Sequence, residues 1–176
     1  MGYANYQKYE DKGGPSLKAM LEFLMQVSTS KLNDKEAFLR WIIYNLIIRN
    51  GDAHCKNLSL LYQSNGSCTL APFYDLICTH LYRGKIDVSM ANNIGGARAF
   101  DKVSKANLVQ MAKDCSVSEK YLLQLIAEMA KATEHNLPPL EQKFAEYCKG
   151  NGLKNGTVLV VKEIKASLKC ARYWVE

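Results

Sequence analysis

The sequence predicts a mainly α-helical domain that carries one β-hairpin near its middle. Apolar residues recur at the spacing of a helix before residue 49 and again after residue 104. Between these segments, Asn65-Gly66 separates two short strand-like runs, and this dipeptide favours a two-residue hairpin turn. The 176 residues have the length of one domain, 1–176, which can bury a core without disulfides or metals.

Composition excludes several classes of protein. With 48% hydrophobic and 23% charged residues, the chain is not expected to be disordered, collagen-like or a coiled coil. No uninterrupted apolar run is as long as a membrane span, and the first residues do not resemble a signal peptide. We therefore expect a cytoplasmic protein with no membrane contact.

The cysteines and the net charge favour ordinary structural roles. Six scattered cysteines without a Cys-x-x-Cys pair indicate free thiols rather than disulfides or a zinc site. The net charge of +6 permits an acidic partner, but solvated helix faces account for it. Direct binding to nucleic acid is not expected.

The first half of the chain is predicted to place a buried helix ahead of the hairpin. Residues 1–14 are expected to form a polar loop, and apolar spacing from Leu17 to Met25 predicts a first amphipathic helix. A second helix is predicted from Ala37 to about Ile48. It is apolar almost all round, which indicates a position in the middle of the core.

The segment 104–176 is predicted to hold the C-terminal helices. Ser104 and Ser118 are the expected N-caps of the first two. Pro138-Pro139 is expected to break or restart the second helix, because a proline removes a helical hydrogen bond. A last helix is predicted from Asn155-Gly156-Thr157 onward.

Three polar residues flank the hairpin. Asp52 and Asn57 precede it and Asp75 follows it, so the hairpin should bring these three residues together in space. Carboxylate and amide oxygens suit Mg²⁺. Phosphoryl transfer uses one carboxylate to accept the proton of the attacking hydroxyl, and an amide and a second carboxylate to hold metal on the nucleotide phosphates.

The spacing of these residues follows that of protein kinases. There, a catalytic-loop aspartate precedes a metal-binding asparagine by five residues, and a later aspartate opens the DFG element. Asp52 precedes Asn57 by the same interval. The surroundings differ, since Arg49-Asn50-Gly51-Asp52 replaces His-Arg-Asp and Leu76 follows Asp75 where kinases have phenylalanine.

Segment 49–76, which holds the catalytic loop, hairpin and second aspartate, closely resembles the C-terminal kinase region of HipA-type toxins. The matching runs are Arg49-Asn50-Gly51-Asp52-Ala53-His54-Cys55-Lys56-Asn57 and Leu70-Ala71-Pro72-Phe73-Tyr74-Asp75-Leu76. Lys8-Tyr9-Glu10, followed by Gly13-Gly14-Pro15-Ser16, resembles the segment ahead of the family's core helix. The resemblance extends over nearly the whole chain.

This resemblance implies a protein-kinase-like C-lobe with an α-helical bundle, from a bacterial serine/threonine kinase that uses ATP and Mg²⁺. Asp52 would be the catalytic base, and Asn57 and Asp75 would be Mg²⁺ ligands. His54 and Lys56 would steady the loop or approach the nucleotide phosphates. The family also implies a type II toxin–antitoxin module with a DNA-binding antitoxin, and a protein substrate such as an aminoacyl-tRNA synthetase.

The sequence lacks the parts of a kinase that usually hold the nucleotide from above. No glycine-rich phosphate loop and no strand-borne lysine precede Asp52, so we expect the N-terminal lobe to be absent and the chain to be inactive alone. A non-catalytic remnant that serves as a protein-interaction module is the main alternative. A metal-dependent hydrolase using Asp52, His54 and Asp75 is a third reading, which leaves the five-residue spacing unexplained.

Overall fold

The computed structural model describes residues 1–4 and 6–175, which form five α-helices and one two-stranded sheet. The elements are α1 (Leu17–Val27), α2 (Lys31–Ile48), β1 (Leu60–Tyr62), β2 (Cys68–Leu70), α3 (Lys105–Asp114), α4 (Glu119–Gly150) and α5 (Thr157–Val175). Short 3-10 turns cover Glu10–Lys12, Cys55–Asn57, Thr79–Tyr82 and Phe100–Lys102. The predicted fold class, mainly helical with one hairpin, is confirmed.

Helix α2 is the centre of the core, as its apolar circumference predicts. Phe38, Leu39, Ile43 and Ile47 are wholly shielded from solvent. Helices α1, α4 and α5 pack against it. Because α2 is held on several sides, its C-terminal end gives the following loop a rigid support.

Helix α2 begins at Lys31 rather than at the predicted Ala37. Its polar first turn is stabilised by Asp34, whose buried carboxylate accepts hydrogen bonds from the Ser28 hydroxyl at 2.6 Å and the Leu70 amide at 3.0 Å. A hydrophobic pattern cannot reveal such a turn, because its ordering comes from polar contacts with other segments.

The prediction that Pro138-Pro139 breaks the fourth helix is wrong. Helix α4 runs through both prolines for 32 residues. Both prolines are exposed, so water can reach the carbonyl groups that lose an N–H partner. Leu137 is buried and Glu141 pairs with Lys165 of α5 at 3.3 Å, so tertiary contacts hold α4 on both sides of the prolines.

The hairpin forms around Asn65-Gly66, but the predicted two-residue turn is wrong. The loop between Gln63 and Ser67 has three residues, since the Gln63 amide donates to the Ser67 carbonyl oxygen at 2.9 Å, and only Gly66 has a positive φ, of 82°. Strands β1 and β2 are antiparallel, with Leu60 opposite Leu70 and Tyr62 opposite Cys68. The segment from residue 71 to residue 104 contains loops and 3-10 turns and leads back over the end of α2.

The cysteines are unpaired, as their scattered positions predict. All six cysteines are free, two of them buried and four half-buried. Within the described ranges, no helix combines the length and the apolar character that a bilayer crossing requires.

Candidate active site

The end of α2 turns the chain sharply into the loop that carries Asp52. Arg49 closes the helix in the left-handed conformation, with φ of 57°. The following Gly51 has no room for a side chain, since a Cβ would lie 2.7 Å from the Val88 carbonyl oxygen and 2.9 Å from that of Ser89. The Gly51 amide donates to the Thr79 hydroxyl at 2.6 Å. The loop is therefore clamped between α2 and the segment after the hairpin.

Asn57 and Asp75 lie side by side, although 18 residues separate them. The Asn57 amide nitrogen Nδ2 donates to Asp75 Oδ2 at 2.6 Å. The Asn50 side chain donates to the Asp75 carbonyl oxygen at 3.0 Å and to Asn45 Oδ1 at 2.9 Å. Asp75 has a left-handed backbone, with φ of 57°, and its carboxylate is exposed. The hydrogen bonds from Asn57 and Asn50 fix the position of this residue after the hairpin.

Of the three residues predicted to meet, Asn57 and Asp75 are in direct contact, whereas the side chain of Asp52 contacts a different set of residues. The Tyr9 hydroxyl donates to Asp52 Oδ1 at 2.5 Å. The same oxygen lies 3.7 Å from Lys8 Nζ and 3.7 Å from His54 Nε2. The Asp52 amide donates to Asn50 Oδ1 at 3.2 Å. Asn50 thus connects the loop of Asp52 with the backbone of Asp75.

His54 stabilises the loop from inside. Its backbone amide donates to Asn57 Oδ1 at 3.0 Å, and its carbonyl oxygen accepts the Asn57 amide at 2.9 Å. Burial lowers the pKa of His54 below its ordinary value, although the negative charge of Asp52 opposes this effect. Of the two roles expected for His54, the buried geometry favours steadying the loop over reaching a nucleotide.

Lys56 has the opposite placement. It is exposed, and its carbonyl oxygen accepts the Tyr74 hydroxyl at 2.7 Å. This hydrogen bond joins the loop before the hairpin to the residue just ahead of Asp75. The exposed side chain remains compatible with the predicted approach to phosphate.

A cluster of charged side chains supports the loop from the side of α5. Glu163 is buried and contacts Arg49 at 3.1 Å, His80 at 2.9 Å and Arg83 at 2.6 Å. Burial opposes ionisation of Glu163, but hydrogen bonds from Arg83 and His80 outweigh it and lower the pKa of this carboxyl. Because Arg49 directly precedes the loop, α5 contributes to the placement of Asp52.

Sequence reasoning did not assign roles to Lys8, Tyr9 or Glu163. Lys8 and Tyr9 belong to a run that resembles the family, but that run lies 43 or more residues before the side chains it contacts. Glu163 is 114 residues from Arg49. No local spacing predicts such pairs, and the only signal was the resemblance itself.

The donor atoms at Asn57 and Asp75 fit a hard divalent cation. One hydrogen bond from Asn57 leaves the Asp75 carboxylate with further lone pairs, and Asn57 Oδ1 accepts only one backbone N–H among the hydrogen bonds described. A different type of centre is not supported. In residues 1–4 and 6–175, no group of three or more His, Cys, Asp or Glu side chains is arranged to hold a metal.

Comparison with protein families agrees with this geometry. The sequence model of the HipA-like C-terminal domain matches residues 1–137. The chain belongs to this family. The match includes α1, α2, the hairpin and the whole candidate site, and it ends just before Pro138.

Curated relatives of the family are longer than this chain. "Putative kinase Y4mE" of Sinorhizobium fredii is 32% identical over 133 residues, which cover 76% of this chain and 31% of the relative. "Putative kinase Y4dM" of the same organism is 30% identical over 126 residues, covering 68% and 30%. The chain therefore spans about a third of the length of these relatives.

A solved structure shows the same fold. It is the complex of HipA, HipB and operator DNA from a toxin–antitoxin system of Shewanella oneidensis MR-1. The match has a TM-score of 0.74 at 20% identity and covers 98% of this chain and 41% of that chain. The family's kinase-like fold, expected from the sequence, is confirmed.

Proposed function

We propose that this chain supplies the C-lobe half of the active site of a HipA-type serine/threonine protein kinase, the toxin of a type II toxin–antitoxin module. One observation carries the proposal. The hairpin places Asp75 2.6 Å from Asn57, while Asp52 stands five residues before Asn57 on the same clamped loop. This is the arrangement that phosphoryl transfer from Mg²⁺-ATP to a hydroxyl requires of a C-lobe.

The residues divide the chemistry between them. Asp52 accepts the proton of the substrate hydroxyl while the hydroxyl oxygen forms a bond to the γ-phosphorus. The bond between the γ-phosphorus and the β,γ-bridging oxygen breaks, and its electron pair leaves on ADP. Asn57 and Asp75 would hold Mg²⁺, which would supply neutralisation of charge on the phosphates. Asn50 keeps the two halves of this set in register, since it contacts both Asp52 and Asp75.

The rest of the active site belongs to parts of the kinase that this chain does not span. An N-terminal lobe would cover the nucleotide, and the chain alone would be inactive as a catalyst. Exposed apolar side chains beside the site suit that contact. They include Leu61, Tyr62, Leu76 and Ile77, of which Tyr62 is 74% exposed.

The family resemblance also supports a proposal for the partner and the substrate. The structural neighbour is bound to HipB and operator DNA. By this likeness, we propose a DNA-binding antitoxin as partner. A protein substrate such as an aminoacyl-tRNA synthetase is proposed from the family resemblance of the sequence.

Calorimetric titration of the chain with Mg²⁺-ATP tests the proposal. We expect binding that Asp75→Asn weakens by at least tenfold, because the substitution removes a charged metal ligand. Asparagine tolerates the left-handed backbone of Asp75, so this change alters charge with little effect on the fold.

Asp101→Asn is the matched control, since Asp101 is an exposed aspartate in the 3-10 turn Phe100–Lys102. It should bind Mg²⁺-ATP as the unaltered chain does. Equal binding by the Asp75→Asn variant would contradict the metal assignment.

A non-catalytic interaction module is the second candidate, and the exposed apolar side chains beside the site favour it as well. This candidate predicts that the chain binds no Mg²⁺-nucleotide. The same titration therefore separates the two candidates.

A further inference from the structure

The N-terminal segment brings a lysine and a tyrosine to the proposed catalytic base. We propose that Lys8 is a catalytic residue that binds the γ-phosphoryl group of the nucleotide, and that Tyr9 positions Asp52 beside it. This inference rests on the proposed function and adds a phosphate-binding group from outside the catalytic loop.

The segment that carries Lys8 and Tyr9 is fixed to the body of the domain. The Glu10 amide donates to the Ala91 carbonyl oxygen at 2.9 Å, and the Ala91 amide donates to the Gly51 carbonyl oxygen at 2.8 Å. The Glu10 carboxylate accepts the Asn93 amide at 2.7 Å. These bonds join the N-terminal segment to the catalytic loop through the segment 91–93.

A tight turn sets the direction of Tyr9. The Gly14 amide donates to the Tyr9 carbonyl oxygen at 2.8 Å. A Cβ at Gly14 would lie 2.7 Å from the same oxygen and 2.8 Å from the Gln7 carbonyl oxygen, so only glycine fits. The glycine that follows the Lys8-Tyr9-Glu10 run therefore has a structural purpose in the site.

Tyr9 orients the carboxylate of Asp52. Its hydroxyl donates to Oδ1 at 2.5 Å, and its ring meets the His54 ring edge to face at a centroid distance of 5.6 Å. A carboxylate bound through one oxygen keeps the other available as an acceptor. Tyr9 thus leaves Oδ2 of Asp52 for the proton of the substrate hydroxyl.

Lys8 places a positive charge next to this acceptor and still has a donor available for another group. Its Nζ lies 3.1 Å from His54 Nε2 and 3.7 Å from Asp52 Oδ1, and 32% of the side chain is exposed. An ammonium has three donors, so the long contact with Asp52 leaves capacity for a phosphate oxygen. A hydrogen bond with Tyr9 and the charge of Asp52 outweigh partial burial and raise the pKa of Lys8.

Lys8 lies close to the atoms whose charge changes during phosphoryl transfer, which are the carboxylate of Asp52 and the γ-phosphoryl oxygens. As the hydroxyl proton passes to Asp52 and the γ-phosphoryl oxygens share the developing charge, Lys8 stays protonated and donates to one of those oxygens. ADP lacks the γ-phosphoryl group, so the contact exists only with ATP.

The test compares Mg²⁺-ATP with Mg²⁺-ADP by calorimetry. Lys8→Met should weaken binding of Mg²⁺-ATP by about tenfold, the effect of a hydrogen bond between charged groups, and leave Mg²⁺-ADP binding nearly unchanged. Lys8→Arg should keep most of the preference for ATP, because it restores the positive charge. Lys18→Met, at an exposed lysine of α1, should behave as the unaltered chain.

The outcomes are separable. If Asp75→Asn weakens binding but Lys8→Met leaves the ATP preference intact, the role of Lys8 is overturned and the proposed function stands. If the unaltered chain binds neither nucleotide, both are overturned for this chain. Thermal unfolding of each variant shows whether a loss of binding comes from a loss of fold, in which case Lys8→Arg decides.

Discussion

At the scale of single residues, Glu163 is a buried acid that balances the charges of three basic side chains. A buried carboxylate is costly unless its charge is matched, and here three basic side chains surround it. Arg49 is itself nearly buried, with 13% of its side chain exposed. Removal of Glu163 would leave the nearly buried charge of Arg49 without its acidic partner.

Glu163→Gln should therefore lower the free energy of unfolding by about 3 kcal/mol at pH 7, the usual effect of breaking a buried ion pair. Folding lowers the pKa of Glu163, so its contribution is complete above the unfolded pKa near 4.5 and is lost as the pH falls through the lower folded value. Urea unfolding at pH 7 and at pH 3.5 should show a smaller acid destabilisation for the variant.

Glu141→Gln is a suitable comparison, because Glu141 pairs with Lys165 at 3.3 Å on the surface. An exposed pair contributes little, so this change should cost below about 1 kcal/mol. Equal losses in the free energy of unfolding for the two variants would show that the Glu163 cluster contributes no more to stability than a surface ion pair.

At the scale of elements, helix α4 keeps two prolines that its own backbone does not favour. Each removes an N–H donor, and the residues before them, Leu137 and Pro138, are pushed away from helical geometry. Their survival in the helix requires packing energy from elsewhere, which the contact with α5 provides.

Pro138→Ala should raise the free energy of unfolding by about 1 to 3 kcal/mol, because it restores a helical hydrogen bond. Urea titration followed by circular dichroism measures the change. Ala132→Pro, at an exposed position of the same helix, should have the opposite effect by about 3 kcal/mol. A loss of stability in Pro138→Ala would mean that the prolines fit a required bend.

The same elements show what the sequence could predict. Period and turn residues placed α2 and the hairpin, and the hairpin rule brought Asn57 and Asp75 together. The early start of α2 was missed because polar tertiary contacts order its first turn. The role of Lys8 is not predicted for a related reason, since its contact with His54 spans 46 residues. Local rules carry no information on such distances.

At the scale of the whole molecule, the core extends beyond the part that matches the family. The match ends at residue 137, yet α5 buries five apolar side chains. These are Val161, Ile164, Leu168, Ala171 and Trp174. The Ser167 hydroxyl also donates to the Leu46 carbonyl oxygen at 3.0 Å, which ties α5 directly to α2.

A chain ending at residue 137 should consequently fail to fold cooperatively. Loss of these apolar contacts removes on the order of 10 kcal/mol, at about 2 kcal/mol per buried side chain. That is comparable with the entire stability of a typical domain. Thermal unfolding followed by near-ultraviolet circular dichroism should show no sharp transition, and a sharp one would contradict the integral role of α5.

The buried bond from the Gly51 amide to the Thr79 hydroxyl has a consequence for timescales. A proton held in this way exchanges with water only when the bond opens, and the clamp at Gly51 ties that opening to the packing around α2. The exposed turn at Asn65-Gly66 opens without disturbing the core. The loop that carries Asp52 is therefore expected to open more slowly than the hairpin turn, so the geometry of the site should outlast that of the exposed turn.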